Sequence, residues 1–88
     1  MEFNLKEALT LFHEGQINKA KDIYLKILKK EPNNIDILNL LGAVAFQNKN
    51  YSKAVYTFNK IIQINSNNFQ AFYNQGNAYL DYKKLENY

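Results

Sequence analysis

The chain has 88 residues, of which 47% are hydrophobic and 22% are charged, and its formal net charge is +3. This length accommodates one domain and is short for an ordinary catalytic fold, while the composition excludes a disordered or collagen-like chain. The absence of Cys excludes disulfides and thiol chemistry, and no apolar run reaches the roughly 18–20 residues of a membrane span.

Apolar side chains recur at intervals of three and four residues along most of the chain, which is the spacing of one helix face. The pattern predicts five helices, near residues 2–14, 17–30, 35–48, 51–64 and 69–83, and a sixth that begins near Leu85. Gly, Asn and Pro occur between these helices, as their backbone preferences require. The breaks lie at 14–16, 32–34, 48–50 and 66–68.

A shift of 34 residues superimposes one half of the sequence on the other. It aligns identical residues, among them Phe12 with Phe46, Ala20 with Ala54, Asn33 with Asn67 and Gly42 with Gly76. Small residues at equivalent positions allow paired helices to approach closely. We therefore predict one domain over residues 1–88, with a first repeat at about 1–34, a second at about 35–68 and a partial third at about 69–88.

The pattern of Leu41-Gly42, Ala54, Phe58 and Ile61, repeated at 34 residues with Pro32 closing the first unit, resembles the tetratricopeptide repeat. The resemblance covers nearly the whole chain. It implies an all-α fold in which antiparallel helix-turn-helix repeats stack as a right-handed superhelix. It also implies that the first helix of each repeat lines a concave surface that binds a peptide or helix of a partner protein.

The sequence offers no set of residues for catalysis or for binding a metal or cofactor. His13 is the only histidine, and one imidazole without Cys or a second His gives neither a zinc-ligand spacing nor a catalytic triad. His13 follows Phe12 at the end of the first predicted helix, where a cation interacts favourably with the helix dipole. The resembled family has no chemistry of its own, so we expect a non-enzymatic protein without a cofactor.

The resemblance implies a peptide-binding concave face made of Lys6, His13, Asp36, Asn39, Gln47, Gln70, Tyr73, Asn74, Asn77 and Asp81. Asn donates and accepts hydrogen bonds at once, so it can hold a peptide backbone regardless of the peptide's sequence. The pattern resembles the asparagine ladder of O-linked N-acetylglucosamine transferases, although Lys6 and Leu40 interrupt it. The carboxylate clamp of other family members is not expected, because the chain has no Arg.

These features favour a protein-interaction scaffold, and two alternatives stay open. The chain could be the N-terminal repeat segment of a larger glycosyltransferase-like enzyme, or a weak nucleic-acid binder. The second alternative depends on outer-wall lysines, namely Lys19, Lys26, Lys29, Lys30, Lys53 and Lys60. Nucleic-acid binders usually use Arg for bidentate contacts, so nucleic acid is not an expected partner.

The incomplete third repeat predicts self-association through the C-terminal end. Its second helix would stop after about four residues, which leaves Phe72, Tyr79 and Leu80 partly uncovered. The alternative is a local cap, in which Tyr82, Leu85 and Tyr88 fold back over this face. The first residues lack a basic stretch followed by an apolar one, so we expect no signal peptide, no membrane partner and a cytoplasmic location.

Overall fold

The computed structural model describes residues 5–86, without the side chains of the last two, and these residues form five α-helices. The helices are α1 (Leu5–His13), α2 (Ile17–Lys30), α3 (Ile35–Gln47), α4 (Tyr51–Ile64) and α5 (Phe69–Glu86). Connections of three or four residues join them, and each helix packs against the next one in the chain. The all-α prediction is confirmed, and the predicted start of the first helix near residue 2 lies outside the described residues.

Helix α3 lies between two layers and contributes to both parts of the core. Ile37 and Val44 pack into a cluster with the first repeat, around the buried Tyr24. Leu38 and Ala45 are the next residues along the chain and pack into a second cluster with α4 and α5. Because α3 is apolar on two faces, it holds the first and second repeats together.

Asparagine side chains cap the N-terminal ends of three of the helices. Oδ1 of Asn34 accepts a hydrogen bond from the backbone N–H of Ile37 at 3.1 Å, at the start of α3. Oδ1 of Asn68, one period later, accepts from the N–H of Ala71 at 2.9 Å, and Asn50 caps α4 in the same way. An amide oxygen satisfies a backbone donor that the first turn of a helix leaves unpaired. Part of the high Asn content therefore serves to set the helix starts.

The two turns inside the repeats contain a residue with left-handed backbone. Gly15 has a φ of 84°, and Lys49, at the equivalent position of the second repeat, has a φ of 59°. We expected Gly and Asn to take this conformation, but in the second turn it falls on Lys, between two Asn residues. Left-handed backbone is unfavourable for a residue with a Cβ, so this turn is more strained than the first.

Helix α5 is longer than the sequence pattern predicts. It runs without a break to Glu86, so the prediction of a sixth helix that begins near Leu85 is wrong. The physical reason is local: Lys83 takes the place of Gly15, and Lys84 takes the place of the capping Asn50. Without a turn residue or a cap, the helix continues. Tyr82 is exposed on α5 and does not fold back as a cap, and Tyr88 lies outside the described residues.

Candidate functional site

The candidate site is a groove formed by the first helix of each repeat, with α3 at its centre. It encloses about 370 Å³. Its lining comes from α1, α3, α4 and α5, and consists of Phe12, Asn39, Ala43, Phe46, Gln47, Phe58, Asn74 and Asn77. None of these lining side chains is charged, so the groove presents mainly aromatic surface and amide groups.

The structure brings four of the ten predicted site residues together in this groove: Asn39, Gln47, Asn74 and Asn77. The other six are not among the lining residues. Lys6, His13 and Asp36 are exposed on α1 and α3, Gln70 and Tyr73 are exposed on α5, and Asp81 is half-buried near the end of α5. The peptide-binding role of all ten residues stays a prediction.

Asn39 carries an unpaired hydrogen-bond acceptor inside the groove. Its Oδ1 is buried and accepts a hydrogen bond from no described residue. Leaving a buried polar atom without a partner costs about 1–3 kcal/mol, so rotation of the Asn39 side chain to bring this oxygen against a donor from outside the chain would be favourable. A backbone N–H of a peptide is such a donor.

The amides on α5 are arranged differently from Asn39. Nε2 of Gln70 donates a hydrogen bond to Oδ1 of Asn74 at 3.0 Å, which engages the oxygen of Asn74 and leaves its NH₂ group available. The side chain of Asn77 makes no hydrogen bond within residues 5–86. The groove thus has donors on α5 and, once the Asn39 side chain rotates, an acceptor on α3, which are the two kinds of group that a peptide backbone requires.

Three aromatic residues of the groove were not predicted from the sequence. Phe12 and Phe46 are equivalent residues on α1 and α3, and Phe58 reaches the groove from α4. The pairing of Phe12 with Phe46 at the 34-residue period was the available signal, because equivalent residues in a repeat face the same way. These rings supply the apolar surface on which a ligand would lie.

The remaining outer surface carries the lysines of α2 and α4. Lys19, Lys26, Lys29 and Lys53 are exposed there, and Lys60 is half-buried. A smaller cavity of about 180 Å³ lies between these helices, with Lys21, Lys53 and Lys60 in its lining. The lysines are therefore on a different surface from the groove, and the two can be tested separately.

Paired helices that repeat at 34 residues around an uncharged groove define a helical-repeat binding module. Residues 11–75 match the family model of the tetratricopeptide repeat. The chain belongs to this family, as the sequence pattern predicted. None of the five helices within residues 5–86 combines the length and the hydropathy that crossing a bilayer requires.

Two comparisons show what the chain is similar to. The UDP-N-acetylglucosamine–peptide N-acetylglucosaminyltransferase of Caenorhabditis elegans is 31% identical over 75 residues, which are 85% of this chain and 6% of the transferase. The structure of the first TPR of Spaghetti bound to an HSP90 peptide superimposes with a TM-score of 0.82 at 23% identity. That match covers 92% of this chain and 64% of the other, and it confirms the predicted fold class.

Proposed function

We propose that the chain is a non-enzymatic scaffold whose groove holds an extended segment of a partner protein by its backbone. The observation that carries this proposal is the lining of the groove, where the amides of Asn39, Asn74 and Asn77 lie beside aromatic rings and no charged side chain is present. After rotation of the Asn39 side chain, its Oδ1, which is buried and unpaired in the structure, would accept from an N–H of the partner, and the NH₂ groups of Asn74 and Asn77 would donate to the partner's carbonyls. The rings of Phe12 and Phe46 would cover the apolar side chains between them.

The charge of the groove bears on the kind of peptide that it would hold. The Spaghetti structure contains an HSP90 peptide, and it supports a peptide as the class of partner. In this chain the lining of the groove has no Lys, and the whole sequence has no Arg. We therefore propose that the groove recognises backbone amides within a segment of the partner and not a terminal carboxylate.

A peptide array tests this proposal directly. The 88-residue chain would be screened against random ten-residue peptides, and the strongest one would be measured by fluorescence anisotropy. Asn39→Ala, and separately Asn74→Ala with Asn77→Ala, should each weaken binding, because a lost neutral hydrogen bond costs about 0.5–1.5 kcal/mol. The matched control is Lys26→Ala with Lys29→Ala on the outer wall, which should bind as the parent does.

A chemical change in the peptide separates backbone recognition from side-chain recognition. Methylation of the backbone nitrogens removes the N–H donors and keeps every side chain. If Asn39 accepts from the backbone, one methylated position should abolish most of the binding, and Asn39→Ala should lose no more against that peptide. Equal binding of methylated and unmethylated peptides would contradict the proposal, as would loss of binding in the lysine variant alone.

The similarity to the Caenorhabditis elegans transferase supports a second candidate, in which this chain is a repeat segment of a larger glycosyltransferase-like enzyme. The groove would then present a protein substrate to a catalytic domain elsewhere in the same protein. The full reading frame decides this, because a catalytic domain after residue 88 is required.

Two expectations from the sequence stay predictions within either candidate. One is the division into two complete repeats and a partial third, and the other is a cytoplasmic location.

Nucleic-acid binding through the outer-wall lysines is distinguished from peptide binding by salt. Each phosphate contact makes affinity fall steeply as salt concentration rises, whereas binding in an uncharged groove changes little. A titration of a fluorescent single-stranded DNA between about 50 and 200 mM NaCl measures this dependence. Salt-sensitive DNA binding that the Asn variants leave unchanged would favour this alternative, which we do not expect.

A further inference from the structure

One face of α5 carries large apolar side chains that no described element covers. Ala71 and Ala78 are fully buried on the side of α5 that packs against α4. On the opposite side lie Phe69, Phe72, Tyr73, Tyr79 and Leu80, all exposed, and Phe69 and Tyr73 are 79% and 67% exposed. At 3.6 residues per turn, these five side chains lie within about 60° of Gly76 around the helix axis. Gly76 is thus at the centre of an apolar face, which we call the α5 face.

Gly42, the equivalent residue of the second repeat, shows that an aromatic ring can pack directly against a glycine at this position. A Cβ on Gly42 would lie 2.6 Å from Cζ of Phe58, because the ring of the next helix rests directly on the glycine. At Gly76, a Cβ would meet no atom within 4 Å. The α5 face therefore has the same close-approach point as α3, and in residues 5–86 nothing approaches it.

We propose that the α5 face binds the α5 face of a second copy of this chain, with the two helices antiparallel and crossing at Gly76. The pattern of the face is symmetric about this residue, since large apolar side chains stand three and four positions before it and after it. A twofold axis at Gly76 places Phe72 against Tyr79 of the second copy, and Tyr73 against Leu80 of the second copy. The glycines allow the helix axes to approach closely.

The charges on α5 favour the antiparallel arrangement. In a parallel pair, Lys83 would face Lys83 of the second copy at the edge of the contact. In the antiparallel pair Lys83 faces Phe69 of the second copy, and the two Lys83 residues are about 21 Å apart along the helices, from a rise of 1.5 Å per residue. The methylene stem of a Lys can cover an aromatic ring while its ammonium group stays in water.

The area of the α5 face is that of a weak, transient pair. Covering its five exposed apolar side chains removes roughly 500–600 Å² from each chain, or about 1,100 Å² in total, given that an aromatic side chain buries 150–250 Å². This total is below the usual range for stable complexes, so we expect a weak pair, with a dissociation constant in the micromolar and not the nanomolar range. The contact covers Tyr73 and leaves the groove amides Asn39 and Asn77 open.

Substitution of Gly76 tests the crossing point without damaging the monomer. Gly76→Gln places a bulky, helix-compatible side chain where the monomer has open space, so the helix should form as well as before. Sedimentation equilibrium from about 5 μM to 1 mM, a range that brackets the expected constant, should show a parent that dimerises and a variant whose dissociation constant is at least ten-fold higher. The control is Tyr56→Gln, which removes a 71% exposed aromatic from α4 and should dimerise as the parent does.

Cross-linking tests the antiparallel register. The chain has no native Cys, and Cys at positions 73 and 80 of one helix are about 10 Å apart, too far for a disulfide within the chain. Tyr73→Cys with Leu80→Cys should therefore give a disulfide-linked dimer under mild oxidation. Tyr56→Cys with Gln63→Cys, which has the same spacing on α4, should give none at the same protein concentration.

Three results would overturn the proposal. A parent that is monomeric up to 1 mM, or a dimer that is insensitive to Gly76→Gln, would show that a second copy does not occupy this face. Equal cross-linking of the α4 control would show that the disulfides report random collision. Because Gly76 does not line the groove, the peptide-binding assay with the Gly76 variant should be unchanged, so the failure of either proposal is recognisable on its own.

Discussion

Replacing each of the two helical glycines by alanine should give opposite changes in stability. In Gly42→Ala, the new Cβ would lie 2.6 Å from Cζ of Phe58, whereas carbon atoms in contact are separated by about 3.5–4.0 Å. Phe58 is 3% exposed, so its ring can move away only by displacing the packed core. Overpacking of this kind costs about 1–3 kcal/mol. In Gly76→Ala there is open space, and the gain in helix propensity should stabilise the fold by about 1 kcal/mol.

The comparison of the two variants isolates the steric effect. Both gain the same helix propensity, so the difference between their free energies of unfolding should be the packing cost alone, about 1–3 kcal/mol. Urea denaturation followed by circular dichroism, at low micromolar concentration where the chain is monomeric, measures this difference. Phe58→Leu should remove most of the cost of Gly42→Ala in a double-mutant cycle. Equal stability of the two alanine variants would refute the contact between Gly42 and the ring of Phe58.

Three further substitutions test other parts of the core and turns. Tyr24 is fully buried, its hydroxyl has no described partner, and Phe58 is its equivalent, so Tyr24→Phe should raise stability by about 1 kcal/mol in urea denaturation. Burial raises the pKa of Tyr24, so the folded state keeps the hydroxyl protonated at a pH where the unfolded state has lost the proton. The free energy of unfolding of the parent is therefore retained below about pH 10 and falls above it. The free energy of unfolding of the Phe variant should fall less over the same pH range. Lys49→Gly should stabilise by about 0.5–1 kcal/mol, because Lys49 has a φ of 59°, and the same change at an exposed residue inside a helix, Lys53→Gly, should destabilise. Ala54→Leu should destabilise by about 1–3 kcal/mol, because Ala54 is fully buried in the core cluster, and an unchanged urea midpoint would contradict this packing.

The sequence determined the kind and order of the five helices within residues 5–86, although it also predicted a sixth that is not formed. Apolar spacing is a local property, so α2 and α4 begin and end at the predicted residues. The 34-residue period also identified equivalent small residues, and Ala20 and Ala54 are fully buried as their repetition predicted. Resemblance to the tetratricopeptide repeat, which depends on the same spacing, gave the family correctly.

The 34-residue repeat did not predict where α5 ends or which residue of the second turn is left-handed. A repeat predicts that each unit ends like the previous one, but Lys83 and Lys84 lack the turn and cap functions of Gly15 and Asn50, and α5 continues to Glu86. Similarly, the left-handed residue of the second turn is Lys49 and not a neighbouring Asn. In both places the backbone conformation depends on the individual residue and not on its repeat position.

Only the tertiary structure decided which side chains share the groove and which face of α5 stays uncovered. Asn39, Asn74 and Asn77 meet because α3 and α5 both line the groove, whereas Tyr73, next to Asn74 on the same helix, is 67% exposed outside it. Whether an amide oxygen is buried without a partner, as in Asn39, depends on every neighbour around it. Gly42 and Gly76 are identical in the sequence pattern and differ only in having a ring against them or open space. Such differences arise from distances between helices, which a pattern along a single chain does not specify.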